Sequence, residues 1–251
     1  MRLSWLLVGA CVTAGCHTPH PPAVKGNLTP QPPSLRGKGE PDEISPLAPP
    51  SLLGKGVGGL GSSPDPDPLT LAAECLDRGD RPAAATHLDA YVGAHPDQIM
   101  FRAHLAELLL QLDRPAAAQA HFERFVATAQ EATGPPRAHL VHCHTRLMEI
   151  AQRGDDRAGE VFHRGVGLLL LAGQMPAGDE AGEAILCRAV AALAEAKELR
   201  PTDPRVRLYL ADAYDRAGNR RGAAAARAAA RHLAAPGALA PAEGRRLAML
   251  P

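Results

Sequence analysis

The stretch that decides the fold runs from residue 65 to residue 96 and reads DPDPLTLAAECLDRGDRPAAATHLDAYVGAHP. Small residues stand at its positions 8 and 20, Ala72 and Ala84, and larger apolar residues surround them at helical spacing. Gly79 suits the turn between two helices because glycine adopts left-handed backbone, and Pro82 suits the first turn of the second helix. The stretch therefore predicts two antiparallel helices that pack closely through their alanines.

The same pattern returns in stretches that begin at Ile99 and at Pro204. Alanines again occupy positions 8 and 20, and they are Ala106, Ala118, Ala211 and Ala223. Asp113 replaces the turn glycine in the earlier stretch, whereas Gly218 keeps it in the later one. The chain therefore contains an internal repeat of 34 residues, the period of a helical array.

This pattern resembles the tetratricopeptide repeat. The resemblance implies an all-α fold, a right-handed solenoid of antiparallel helix hairpins over residues 68–251, with about four repeats. Two repeats are atypical, because the register fails over residues 133–199; Gly154 restores it if one repeat begins at Leu140. Residues 240–250 predict a short helix that caps the exposed apolar end of the solenoid.

The segment before the repeats, residues 16–67, has a different composition. It is rich in proline and glycine, and the octapeptide PPSLRGKG of residues 32–39 recurs as PPSLLGKG in residues 49–56. Such a sequence buries too little apolar surface to offset the loss of conformational entropy on folding. We expect a disordered tether here.

The first 15 residues have the features of a secretory signal peptide. Met1 and Arg2 form a short basic start, and an apolar run follows that ends in small residues just before Cys16. This ending resembles the cleavage box of bacterial lipoproteins, with Cys16 as the lipidated residue and Cys11 as the alternative. The sequence predicts an exported lipoprotein that is anchored to a membrane of the cell envelope and faces the periplasm.

The composition disfavours several function classes. Lys plus Arg and Asp plus Glu number 27 each, so no net charge favours nucleic acid as a partner. We find no nucleophile on a glycine elbow and no phosphate-binding loop, and we predict a non-enzymatic protein without a cofactor.

One cluster of candidate ligands keeps an alternative open. His139, His142 and Cys143 lie on one face of a predicted helix, followed by His144, and could bind a single metal ion. The alternative interpretation is therefore a metal- or thiol-dependent helical protein centred on these four residues.

Three cysteines follow the predicted signal peptide and tether, and they are Cys75, Cys143 and Cys187. Because their number is odd and they lie on separate predicted helices, we predict small core residues and no disulfide framework.

The resemblance also implies where a partner binds, since positions 2, 5, 9, 12 and 13 of tetratricopeptide repeats line a concave groove. Carried onto this chain, they include Met100, Glu107, Leu110, Gln111, His144, Met148, Arg205, Leu208, Asp212 and Arg216. Some members of the family bind the terminal carboxylate of a peptide through side chains at particular repeat positions. In this chain those positions carry Leu69, Ala73, Ala103 and Glu107, which offer no cation. We therefore expect a protein or peptide partner with an amphipathic or extended segment, bound by an interaction scaffold.

Replacing the proposed lipidation site, Cys16→Ser, is expected to move the protein to the soluble fraction, because acyl chains are what hold a lipoprotein at the membrane. Cell fractionation and the intact mass measure this change. Cys11→Ser is the matched control and should leave the protein in the membrane. A Cys16→Ser protein that keeps its membrane association and its mass would contradict the lipoprotein prediction.

Overall fold

The computed structural model describes residues 67–130, 132 and 134–249. The predicted signal peptide, Cys11, Cys16 and the tether up to residue 66 lie outside these residues. Within the described part, the chain forms helices and no strand. The helices are α1 (Pro68–Asp77), α2 (Arg81–Ala94), α3 (Ile99–Gln111), α4 (Pro115–Ala129), α5 (Pro135–Ala138), α6 (Leu140–Arg153), α7 (Arg157–Ala172), α8 (Glu180–Leu199), α9 (Pro204–Arg216), α10 (Arg220–Leu233) and α11 (Pro241–Met249). None of these described helices is both long and apolar enough to cross a membrane.

Consecutive helices pack as antiparallel hairpins, α1 with α2, α3 with α4, and α9 with α10. The turns inside these hairpins are left-handed at the residues that the repeat pattern indicates. The backbone φ is 76° at Gly79, 53° at Asp113 and 74° at Gly218. Aspartate is one of the few residues with a side chain that enters this region. The predicted all-α, tetratricopeptide-like array of helix hairpins is confirmed.

Capping side chains explain where several helices begin. Asp80, Asp156, Asp179 and Asn219 each accept a hydrogen bond from a backbone N–H three residues later, at 2.7 to 3.1 Å. Such a bond satisfies one of the N–H groups that the first helical turn leaves unpaired. Proline occupies the first turn of α1, α2, α4 and α9, where its missing N–H costs nothing.

The middle of the array departs from simple hairpins, because α7 packs extensively against both α6 and α8. The two helices α7 and α8 approach each other closely at Gly165. A methyl group added there would lie 2.7 Å from Leu193 Cγ and 3.1 Å from the Leu193 backbone nitrogen. The region predicted as two atypical repeats therefore contains a group of three helices, α6, α7 and α8. The central helix, α7, packs against both of the others.

The register predicted for the third repeat is wrong by one residue. Gly154 has an ordinary φ of −91°, and Asp155 takes the left-handed turn with a φ of 55°. The first helix of each regular repeat ends at position 13, and α6 ends at Arg153. Counted from that end, the repeat begins at Val141 and not at Leu140.

The core consists of two main apolar clusters. One joins α1 to α6 and includes the fully buried Phe122 and Phe125; the other joins α7, α8 and α9. Cys75 and Cys143 are buried in the first cluster, as predicted. Cys187 is exposed on α8, so the prediction that it is a core residue is wrong.

The substitution Gly165→Ala adds a methyl group where α7 and α8 are in close contact. It is expected to lower the free energy of unfolding by about 1 to 3 kcal/mol, because Leu193 and its backbone must move. Urea unfolding followed by circular dichroism measures this.

The matched control is Gly93→Ala in α2, where a methyl group would meet nothing within 4 Å. The free energy of unfolding of that variant should rise by about 0.5 to 1 kcal/mol, because alanine favours a helix more than glycine does. A Gly165→Ala protein as stable as wild type would show that α7 and α8 are less closely packed than described.

Candidate partner-binding site

The groove residues predicted on α3 are only partly accessible. Met100 and Leu110 are half-buried and pack against the core, so they are not an exposed apolar strip. The Glu107 carboxylate accepts a hydrogen bond from Arg146 Nε at 3.0 Å and lies 2.7 Å from His142 Nε2. Burial opposes ionisation of Glu107, but these two partners outweigh it and lower its pKa. Gln111 is exposed.

The prediction that His144 faces the groove is wrong, because this side chain is fully buried. The one-residue shift in register explains the error, since it moves His144 from position 5 to position 4. Its Nδ1 lies 3.2 Å from the Nδ1 of His163, which is also buried. Burial and the nearby Arg205 lower the pKa of His163 to about 3, and burial with the neighbouring His163 lowers that of His144. Both imidazoles are therefore neutral at pH 7.

The corrected register also moves Met148 to position 8, where it is half-buried. Positions 5, 12 and 13 of this repeat become Thr145, Gln152 and Arg153, and all three side chains are exposed. Sequence reasoning missed these residues because it took Gly154 as the turn residue.

On α9, the predicted groove face is covered by α11. Glu243 of α11 is fully buried, and its Oε1 accepts hydrogen bonds from Arg205 Nε at 3.2 Å and from the Tyr209 hydroxyl at 3.1 Å. The other carboxylate oxygen accepts a hydrogen bond from the backbone N–H of Ala240 at 3.0 Å, which caps α11. Burial acts to lower the pKa of Arg205, but Glu243, Tyr209 and Asp203 together outweigh it and the pKa is raised.

Two further contacts hold α11 on the same face. Leu247 packs against Leu208, which has no exposed surface, so the prediction that Leu208 is accessible to a partner is wrong. Arg246 Nη2 lies 3.3 Å from Asp212 Oδ2, and its guanidinium carbon is 4.7 Å from the centre of the Tyr209 ring. Arg216 remains exposed and donates a hydrogen bond to the carbonyl of Leu169 at 2.8 Å.

The helix predicted as a cap is therefore present as α11, but it contacts more than the last hairpin. It touches α4 as well as α9 and α10. Beside it, Gln130, just after α4, donates a hydrogen bond to the Tyr209 hydroxyl at 2.5 Å. The end of the array thus contacts its second hairpin.

An open cleft of about 360 Å³ lies where α4, α6, α7 and α9 meet. Its floor includes the apolar Leu147, Ile150 and Phe162. Its polar lining consists of Gln119, Glu123, Arg153, Asp156, His163, Arg200 and Arg205. Among the ten predicted groove residues, Arg205 lines this cleft. The cleft is therefore a different site from the groove predicted along α3, α6 and α9, with which it shares Arg205.

Several polar side chains around the cleft are paired. Arg200 Nη2 donates a hydrogen bond to Asp156 Oδ2 at 2.7 Å, and Gln119 donates one to Glu123 Oε1 at 2.8 Å. Burial opposes ionisation of Asp156, but the N–H of Gly159 and the guanidinium of Arg200 outweigh it and lower its pKa. The cleft presents charges of both signs above an apolar floor.

The alternative metal centre is not assembled. His142 contacts Glu107, His144 contacts His163, and Cys143 is buried with its pKa raised to about 12, chiefly by burial. His139 also has a partner of its own. In the described ranges, no three His, Cys, Asp or Glu side chains lie close enough to share one metal ion.

Comparison with known proteins finds a weak similarity to solved structures. No protein-family model matches the sequence, and no curated protein matches it. A crystal structure of MamA protein is 13% identical over 66% of this chain and 89% of its own, with a TM-score of 0.34. A second MamA crystal structure is 13% identical over 65% of this chain and 94% of its own, with a TM-score of 0.33. These TM-scores are too low to establish a shared fold, so the fold class rests on the helices themselves.

The buried His144–His163 pair predicts a pH dependence of stability. Both pKa values lie below the value of about 6.5 expected in the unfolded chain, so the unfolded chain binds more protons as the pH falls. The folded state is therefore most stable above about pH 6.5 and loses stability towards pH 3. The free energy of unfolding falls by up to about 1.4 kcal/mol per pH unit for each histidine. Thermal unfolding between pH 8 and pH 4 measures this slope.

His163→Gln should flatten that slope, because one of the two suppressed protonations is removed. The matched control is His232→Gln, a change at an exposed histidine on α10, which should leave the slope as it is. Equal slopes in wild type and His163→Gln would contradict the assignment of neutral buried imidazoles.

Proposed function

We propose that this protein is a membrane-tethered, non-catalytic scaffold of the bacterial cell envelope that binds a protein or peptide partner in the cleft between α4, α6, α7 and α9. The observation that carries the proposal is the cleft itself, an open concave site with an apolar floor and a charged rim. Concave sites with a few placed polar groups are the usual binding sites of proteins. An array of packed helix hairpins supplies a rigid surface around such a site.

The lining indicates the chemistry of the partner. Leu147, Ile150 and Phe162 offer apolar surface, while Arg153 and Glu123 offer charges of opposite sign within one cleft. An amphipathic segment matches this combination, because its apolar side chains cover the floor while its charged side chains pair with the rim. A purely anionic ligand would meet Glu123 and Asp156 as well as the arginines.

The tether completes the proposal. Lipidation at Cys16, followed by the Pro/Gly-rich residues 16–67, would hold the helical array near the membrane while leaving it free to reach a partner. This part of the proposal is supported by the sequence alone.

A pair of exposed substitutions tests the cleft. Ala116→Glu combined with Arg153→Glu places two carboxylates on its lining without altering a buried residue. We expect capture of the envelope partner to fall at least about tenfold, because the rim charge reverses and the opening narrows. Quantitative pull-down from solubilised envelopes, with the partner identified by mass spectrometry, measures capture.

The matched control makes the same two changes on the surface of α8, Ala184→Glu with Arg188→Glu, where both residues are exposed. Capture by this variant should equal that of wild type. Equal capture by both double variants, with helical content unchanged, would place partner binding outside the cleft.

A further inference from the structure

We infer that α11 is a detachable internal occupant of the binding face, and that the partner displaces it with a helix that carries a carboxylate in place of Glu243. This inference rests on the proposed function, and it adds the chemistry of the partner and a means of regulating access. We call the side of α9 that bears Arg205, Leu208 and Asp212 the binding face; it adjoins the cleft, with which it shares Arg205.

The first reason is that α11 is a weak helix by itself. It has nine residues, fewer than an isolated helix needs to be stable in water. Its link to α10 is short and irregular, and Gly237 within the link has a φ of 80°, which glycine tolerates without strain. The helix therefore depends on its contacts with the array, and it can leave by rotation about the link.

The second reason is that these contacts are incompletely satisfied. Arg246 Nε is buried without a protein hydrogen-bond partner among the described residues, although Nη2 of the same side chain lies near Asp212. A buried donor without a partner weakens an interface. Beside α11, an open pocket of about 420 Å³ lies next to the end of α10, lined by residues that include Ala234, Leu239 and Leu247.

The third reason is that Arg205 belongs to both sites. Its Nε binds Glu243 of α11, and the same residue lines the cleft, with its guanidinium carbon 5.4 Å from the centre of the Phe162 ring. A carboxylate on a partner segment in the cleft can therefore compete with Glu243 for Arg205. A partner carboxylate that forms the same charge-assisted hydrogen bonds with Arg205 compensates for the loss of the bond to Glu243.

The contacts of α11 specify the competing segment. Glu243 binds Arg205 and Tyr209, Arg246 pairs with Asp212, and Leu247 covers Leu208. These three side chains stand at i, i+3 and i+4, so they lie on one helical face. The partner we expect is a helix with the same order of acidic, basic and apolar residues.

A labelled peptide of residues 238–251, ALAPAEGRRLAMLP, tests the inference on the full chain. In wild type its own α11 occupies the face, and peptide binding measured by fluorescence anisotropy should be weak. Glu243→Gln in the chain loosens α11, so this variant should bind the peptide at least about tenfold more tightly than wild type. The matched control, Met249→Gln at an 80% exposed position, should bind as wild type does.

Hydrogen exchange on wild type provides a second measurement that does not depend on a variant folding. The backbone amides of α11 should exchange at least about tenfold faster than those of α9, because α11 opens without global unfolding. Equal protection of the two helices would overturn the inference, as would equal peptide binding by wild type and a folded Glu243→Gln protein.

The two proposals fail in different ways. If capture of the partner depends on the cleft but α11 is as protected as α9, the proposed function holds and the inference fails. If the peptide displaces α11 but capture does not depend on the cleft, α11 is detachable and the proposed function fails.

Discussion

The close contact of α7 with α8 at Gly165 is the constraint on which the rest of the array depends. The missing side chain of Gly165 allows Leu193 of α8 to approach α7 closely, at the density expected of a protein interior. Because α7 thus belongs to two hairpins at once, the helices that follow are placed differently from those of a regular repeat. The two apolar clusters meet along α7, and the neutral His144–His163 pair lies there.

The regular hairpins were predictable from the sequence because each carries its own local information. Ala72 and Ala84 allow close packing, and Gly79 fixes the turn between them, so pattern and structure agree without help from distant residues. The middle region was harder for a physical reason. Asp155 and Gly154 can both adopt a left-handed turn, and the choice between them moves every position of that repeat by one residue. This one-residue difference decides whether His144 is assigned to the exposed groove or to the buried core.

The binding face could not be predicted for a different reason, since it is created by tertiary contacts. An acidic residue in a short terminal helix is ordinarily expected at the surface, yet Glu243 is fully buried because Arg205 and Tyr209 both donate to it. The cleft likewise combines residues from helices that are remote in sequence. Arg205 was identified from its repeat position, but its two roles depend on where α7 and α11 place their side chains.

The hydrogen bond between Gln130 and Tyr209 has a consequence for how the array unfolds. Helical repeat proteins are nearly one-dimensional, because each unit contacts only the units before and after it, and their ends fray independently. Here a contact across 79 residues joins the second hairpin to the last. Loss of the terminal hairpin therefore removes support from the interior of the array. We therefore expect the hairpins of the array to unfold less like separable units and more like a single cooperative domain.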